Sequence, residues 1–116
     1  MALGSLETQV MALMWAAGRP LTVRHALDDL NVGRAEPLAY TTVLTVMSRL
    51  ADKGFLARTE LGRGHLYAPA VADEAALAVQ DVIQAYGNAA LSRFVNHAAA
   101  DPAMRARLRE LMAEEP

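Results

Sequence analysis

The chain has no cysteine, one lysine against ten arginines, and only 5% aromatic residues. Without cysteine there are no disulfides, no thiolate-type zinc sites and no thiol nucleophile, and the composition suits a reducing compartment. The longest apolar run is eight residues, positions 10–17, against the roughly 20 that a membrane-spanning helix needs. The start of the chain has no basic stretch leading into an apolar one, the shape of a secretory signal. A cytoplasmic protein without membrane insertion is the expectation. His25, His65 and His97 stand apart, and neither an HExxH pair nor a phosphate-cradling glycine loop is present. No catalytic residue, metal or cofactor is therefore expected. His97 and Asp101 are four residues apart, but Asp101 before Pro102 reads better as a helix cap.

What is present is apolar and helix-forming. Of 116 residues, 53% are hydrophobic and 24 are alanine, the best helix former. A chain of this length buries roughly 65% of its unfolded surface, enough for a core without staples. Leu6, Val10, Leu13, Met14 and Ala17 recur at helical spacing behind Ser5, a candidate cap, and Gly18-Arg19-Pro20 ends that helix. Thr22 caps a second helix with Val23, Ala26, Leu27 and Leu30 inward. A third helix is expected over residues 39–53, with Val43, Val46, Met47 and Leu50 as its stripe and Gly54 past its end. The period then changes. Residues 55–61 and 65–69 alternate around Gly62-Arg63-Gly64, the pattern of a β-hairpin. From Asp73 the chain is helical again, interrupted at Gly87-Asn88, where Asn88 could cap the next helix. A last helix begins at Asp101-Pro102. The expected fold class is mainly α with a small β-hairpin: a winged helix-turn-helix over residues 1–71, then a helical dimerisation arm over 72–116.

Function concentrates on the third helix. Opposite its apolar stripe lie Thr41, Thr45, Ser48 and Asp52, with Tyr40 at the start, Thr42, Arg49 and Lys53 along one flank and Leu44 on the other. Short hydroxyl side chains allow close approach to DNA and can bond phosphates or base edges. Taken alone, this face is more simply an ordinary solvated one. The hairpin beside it carries Arg58, Arg63 and His65, with Arg63 at the tip, and Thr22 and Arg24 open the second helix, where backbone N–H groups favour phosphate. His25 reads as a surface residue. The expected DNA-binding set is Thr22, Arg24, Tyr40, Thr41, Thr42, Thr45, Ser48, Arg49, Lys53, Arg63 and His65. The net charge of −2 does not oppose it. Residues 34–65 hold five basic against three acidic residues, whereas residues 71–116 hold four against seven.

Leu6-Glu7-Thr8-Gln9-Val10-Met11-Ala12-Leu13-Met14-Trp15, Leu21-Thr22-Val23-Arg24, Leu38-Ala39-Tyr40-Thr41-Thr42-Val43, Ser48-Arg49-Leu50-Ala51-Asp52-Lys53-Gly54-Phe55-Leu56 and Gly62-Arg63-Gly64-His65-Leu66-Tyr67 together resemble the penicillinase-repressor family, BlaI/MecI type. The resemblance spans nearly the whole chain. It implies a homodimeric winged-helix repressor on a pseudo-palindromic double-stranded DNA operator. For many members it also implies release by cleavage in the arm, triggered through a membrane sensor metalloprotease that detects β-lactams. By position the cleaved bond would be Arg93-Phe94. Cleaved members carry Asn before the Phe, where this chain has Arg93. Copper-responsive relatives carry a cysteine cluster that this chain lacks. In the arm, Leu77, Val79, Ile83, Tyr86, Leu91, Phe94 and Val95 form a broad apolar stripe, expected to be covered by a second copy; folding back onto the first domain is the alternative. Two other functions stay open: control by a small-molecule ligand or a signal unrelated to β-lactams, and a protein-interaction adaptor without DNA binding.

Overall fold

The computed structural model describes residues 3–114. The elements run α1 (Ser5–Ala17), α2 (Val23–Asn31), α3 (Tyr40–Asp52), β1 (Leu56–Leu61), β2 (Gly64–Pro69), α4 (Glu74–Tyr86), α5 (Asn88–Ala99) and α6 (Pro102–Ala113). This is the expected order of a winged helix followed by a helical extension. The chain divides into two compact units, with the division between Ala78 and Val79, inside α4.

In the first unit, α1, α2 and α3 pack on one another and on the hairpin. The buried face of α1 is Val10, Met11 and Met14, while Leu6, Leu13 and Ala17 are only partly covered. The helix is therefore turned relative to the expected stripe. α1 is apolar on several sides, so periodicity alone defines its inward direction poorly. Glu7 falls in line with the buried face, one turn above Met11. Its cap also differs: Gly4, not Ser5, is the N-cap. The Gly4 N–H donates to Glu7 Oε1 at 3.2 Å, while the Ser5 hydroxyl accepts from Gln9 Nε2 at 3.4 Å.

α2 follows expectation, with Thr22 Oγ1 accepting from the His25 N–H at 3.1 Å and Val23, Ala26 and Leu27 buried. Asn31 then closes the α2–α3 connection. Its side chain accepts from the Leu38 N–H at 2.7 Å and donates to the Leu38 carbonyl at 3.2 Å, imitating a strand partner. α3 buries Val43, Met47 and Leu50 and leaves Val46 half-buried. It ends in a Schellman arrangement, with the Phe55 N–H on the Leu50 carbonyl at 2.9 Å and the Gly54 N–H on the Ala51 carbonyl at 3.0 Å. Phe55 enters the core beside Leu50.

The hairpin is antiparallel and in register from Leu56↔Pro69 to Leu61↔Gly64. Gly62 takes φ +58° and Arg63 does not, the pattern of a type II′ turn with glycine first. A feature absent from the sequence reading ties the hairpin to the helices. Leu21 forms an isolated bridge with Tyr67, its N–H donating to the Tyr67 carbonyl at 2.9 Å and the Tyr67 N–H returning to the Leu21 carbonyl at 2.8 Å. Trp15 Nε1 donates to the Val71 carbonyl at 3.0 Å and fixes the chain leaving β2 against α1.

In the second unit, α4 and α5 are separated at Gly87, whose φ of +56° breaks the helix. Gly87 is the N-cap of α5, so Asn88 is already helical and is not the cap. α6 begins as expected: Asp101 Oδ1 accepts from Ala103 N–H at 3.0 Å and Met104 N–H at 3.2 Å, with Pro102 first in the helix. α5 and α6 pack on each other, and Ala98 is the only buried residue among those described in this unit. Among the described residues no helix is long and apolar enough to cross a membrane.

Candidate nucleic-acid interface

The start of α2, the start of α3 and the hairpin tip meet around one concavity of about 260 Å³. Thr22, Arg24, Tyr40, Arg63 and His65 line it, together with Leu44 and Leu61. Five residues from three separate stretches of sequence are thus brought together. The Arg24 guanidinium lies 5.0 Å from the Tyr40 ring centroid, a cation–π stack that couples the two helix starts. His65 meets the edge of Tyr67 with ring centroids 6.2 Å apart, so the buried Tyr67 orients it. Arg63 is exposed at the turn itself.

Thr41, Thr42, Thr45 and Arg49 are exposed along α3, and Ser48 is half-buried. The Thr45 hydroxyl donates to the Thr41 carbonyl at 2.8 Å. That bond occupies its proton and leaves the hydroxyl as an acceptor.

Lys53 stands elsewhere. It is the C-cap of α3, about 20 Å along the axis from Tyr40 at 1.5 Å per residue. Its ammonium donates to Glu7 Oε2 at 3.1 Å, with side-chain exposures of 43% and 20% for the pair. Arg58 is likewise engaged, with Asp52 at 2.9 Å. Among the described residues Arg24, Arg49 and Arg63 carry no ion pair. Of the first unit's described arginines without an ion pair, Arg24 and Arg63 line the concavity and Arg49 is exposed on α3, while Arg19 and Arg34 lie outside both. The spacing rules missed Leu44 and Leu61 as lining residues. Leu44 lies just off the apolar stripe of α3, 36% exposed, and Leu61 is 53% exposed at the end of β1. An apolar residue outside its helix's stripe was the available signal.

Of the arm residues read from the sequence, Leu77 differs from the rest. It is 3% exposed and part of the first unit's core, so it has no surface to offer a partner. Val79, Ile83, Tyr86, Leu91, Phe94 and Val95 are exposed, and the structure adds Val82, Leu111 and Met112 to them. Arg93 is exposed in the interior of α5 beside Phe94. Asp101 is a helix cap, as its hydrogen bonds show.

The sequence model of the penicillinase repressor family matches residues 3–114. The chain belongs to the penicillinase repressor family. Its curated relatives include the transcriptional regulator BlaI of Mycobacterium tuberculosis, from the CDC 1551 / Oshkosh and H37Rv strains. Each is 42% identical over 120 residues, covering 96% of this chain and 86% of the relative. Among solved structures, the hsRosR-S1 complex superposes with a TM-score of 0.53 at 16% identity, over 97% of this chain and 90% of that one. This second likeness concerns the fold. As a penicillinase-repressor family member, the chain is a BlaI-like transcriptional regulator with a winged-helix fold, and its relatives are regulators rather than enzymes.

Proposed function

We propose that this chain represses transcription by binding, as a homodimer, a double-stranded operator with two-fold sequence symmetry. The observation that carries the reading is the convergence of Arg24, Tyr40, Arg63 and His65 on one concavity beside the hydroxyl face of α3. In such a motif the helix enters the major groove by its N-terminal half. Thr41, Thr42, Thr45 and Ser48 would then face base edges and nearby phosphates, with Arg49 further along. Thr22 and Arg24 would hold the backbone at the start of α2, and Arg63 and His65 would follow phosphates from the wing. Lys53 contributes little, because Glu7 already engages it.

Dimerisation follows from the arm. Nine large hydrophobic residues stand exposed there among those described, an apolar surface of the kind that marks an interaction site. A second copy is the cover that a regulator of two-fold DNA needs, and it doubles phosphate contacts that are few per protomer. The family resemblance carries one further reading, release by cleavage at Arg93-Phe94 through a β-lactam-responsive membrane sensor protease, with Arg93 standing where cleaved members have Asn.

The deciding experiment is selection of bound duplexes from a randomised pool, followed by titration at several salt concentrations. Specific enrichment and a steep loss of affinity with salt are expected. If no duplex is enriched, the adaptor reading prevails. Enrichment with a strictly monomeric protein at micromolar concentration would remove the arm's role.

A further inference from the structure

Four large hydrophobic residues of the first unit are exposed among those described: Val32, Tyr40, Leu44 and Leu61. Singly exposed apolar residues are ordinary. Here three of the four, Tyr40, Leu44 and Leu61, line the same concavity, together with Arg24, Arg63 and His65. Apolar side chains that line one concavity with cationic and imidazole groups suit a polyanion that also projects small apolar groups. In the major groove the standard base that does so is thymine, through its C5-methyl. Leu44 has no polar atom, so it distinguishes bases only by such a contact. It lies one turn beyond Tyr40, in the half of α3 that leads into the groove. Its neighbour Thr45 has its hydroxyl proton committed to the Thr41 carbonyl, which limits what that side chain can read as a donor.

We propose that Leu44, which lines the concavity together with Leu61, is a specificity-determining residue that packs on a thymine methyl in each operator half-site. The proposal rests on the DNA-binding reading above, and its test separates the two. The full chain is first used to enrich a duplex from a randomised pool. Each thymine of that duplex is then replaced in turn by deoxyuridine, which removes the methyl and keeps every hydrogen-bonding group. At one position per half-site the native protein should lose about fourfold in affinity, the value of one buried methyl-sized group. Leu44→Ala should bind the thymine and uracil forms of that position equally, and Leu44→Met should restore the preference. Leu44 is 36% exposed, so circular dichroism of both variants should match the native chain.

Indifference of the native protein to every deoxyuridine would overturn the proposal. So would a preference that persists in Leu44→Ala, or one that disappears instead in Thr41→Ser or Thr45→Ser. Failure to enrich any duplex would defeat the DNA-binding reading itself and the role of Leu44 with it.

Discussion

The two units differ in what they do with apolar surface. In the first, fifteen hydrophobic side chains form one buried cluster that draws on all three helices, the hairpin and the start of α4. Among the described residues, Ala98 alone is buried in the second, and nine of the thirteen exposed large hydrophobics lie there. Burial of a large apolar side chain is worth about 1.5–3 kcal/mol. The first unit has gained that stabilisation within its own chain, and the second still has most of it to gain. The first should therefore unfold as a unit regardless of protein concentration, whereas the second should owe its stability to association.

The sharpest way to break this contrast is to hollow out the first core. Phe55 is fully buried where α3 turns into β1. Phe55→Ala should destabilise by about 3–5 kcal/mol, read from the fluorescence of Trp15, the only tryptophan, in urea. The loss should be the same at all protein concentrations. A loss below about 1 kcal/mol would mean that the core is much looser than its burial implies.

The corresponding attack on the arm is Ile83→Asp with Phe94→Asp, two exposed positions. Sedimentation equilibrium should show dimer association weakened by at least about a hundredfold, from two lost burials of this size. The Trp15 unfolding midpoint of the dissociated protein should barely move. Unchanged association would transfer the dimer contact to other surfaces, Leu111 and Met112 first.

How much of this was legible beforehand follows the same divide. The helix order, the hairpin, Thr22 and Asp101 as caps and the core stripe of α3 were readable, because each rests on local period or local cap chemistry. The turned face of α1 was not, because apolar residues surround that helix and only α3 and the hairpin decide which side is covered. Nor was the Leu21–Tyr67 bridge, a single pair 46 residues apart with no periodic trace. The two caps misplaced by one residue, Gly4 and Gly87, are both glycines beside a better-looking Ser5 or Asn88. In the interface the residue types were readable and their partners were not. Lys53 looked as available as Arg63 until Glu7 came within 3.1 Å of it. Leu77 looked like the rest of the arm until the first core closed over it.

That difference between the two cations gives a smaller effect. Arg63→Ala should lower affinity for all duplexes and reduce the slope of log affinity against log salt by about 1 per protomer. Lys53→Ala should leave the slope nearly unchanged. Its cost should appear as at most about 1 kcal/mol of stability, since the Glu7 pair is partly exposed. Equal salt slopes for the two variants would return Lys53 to the DNA-contacting set.

The subtlest comparison uses the same chemical feature in both units. Thr22 caps α2 through one N–H and Asp101 caps α6 through two. Replacing either cap by alanine costs about 1 kcal/mol of helix stability. α2 is held by Val23, Ala26 and Leu27 in the common core, so its first turn cannot fray without disturbing everything packed on it. Thr22→Ala should therefore lower the Trp15 unfolding midpoint as a whole. α6 has no buried residue among those described, so nothing obliges the rest of the protein to share its loss. Asp101→Ala should speed hydrogen exchange in the first turns of α6 and leave the Trp15 midpoint where it was. If that midpoint falls by the same amount for both variants, the arm folds in one cooperative step with the winged helix, and the contrast between the units is one of exposure alone.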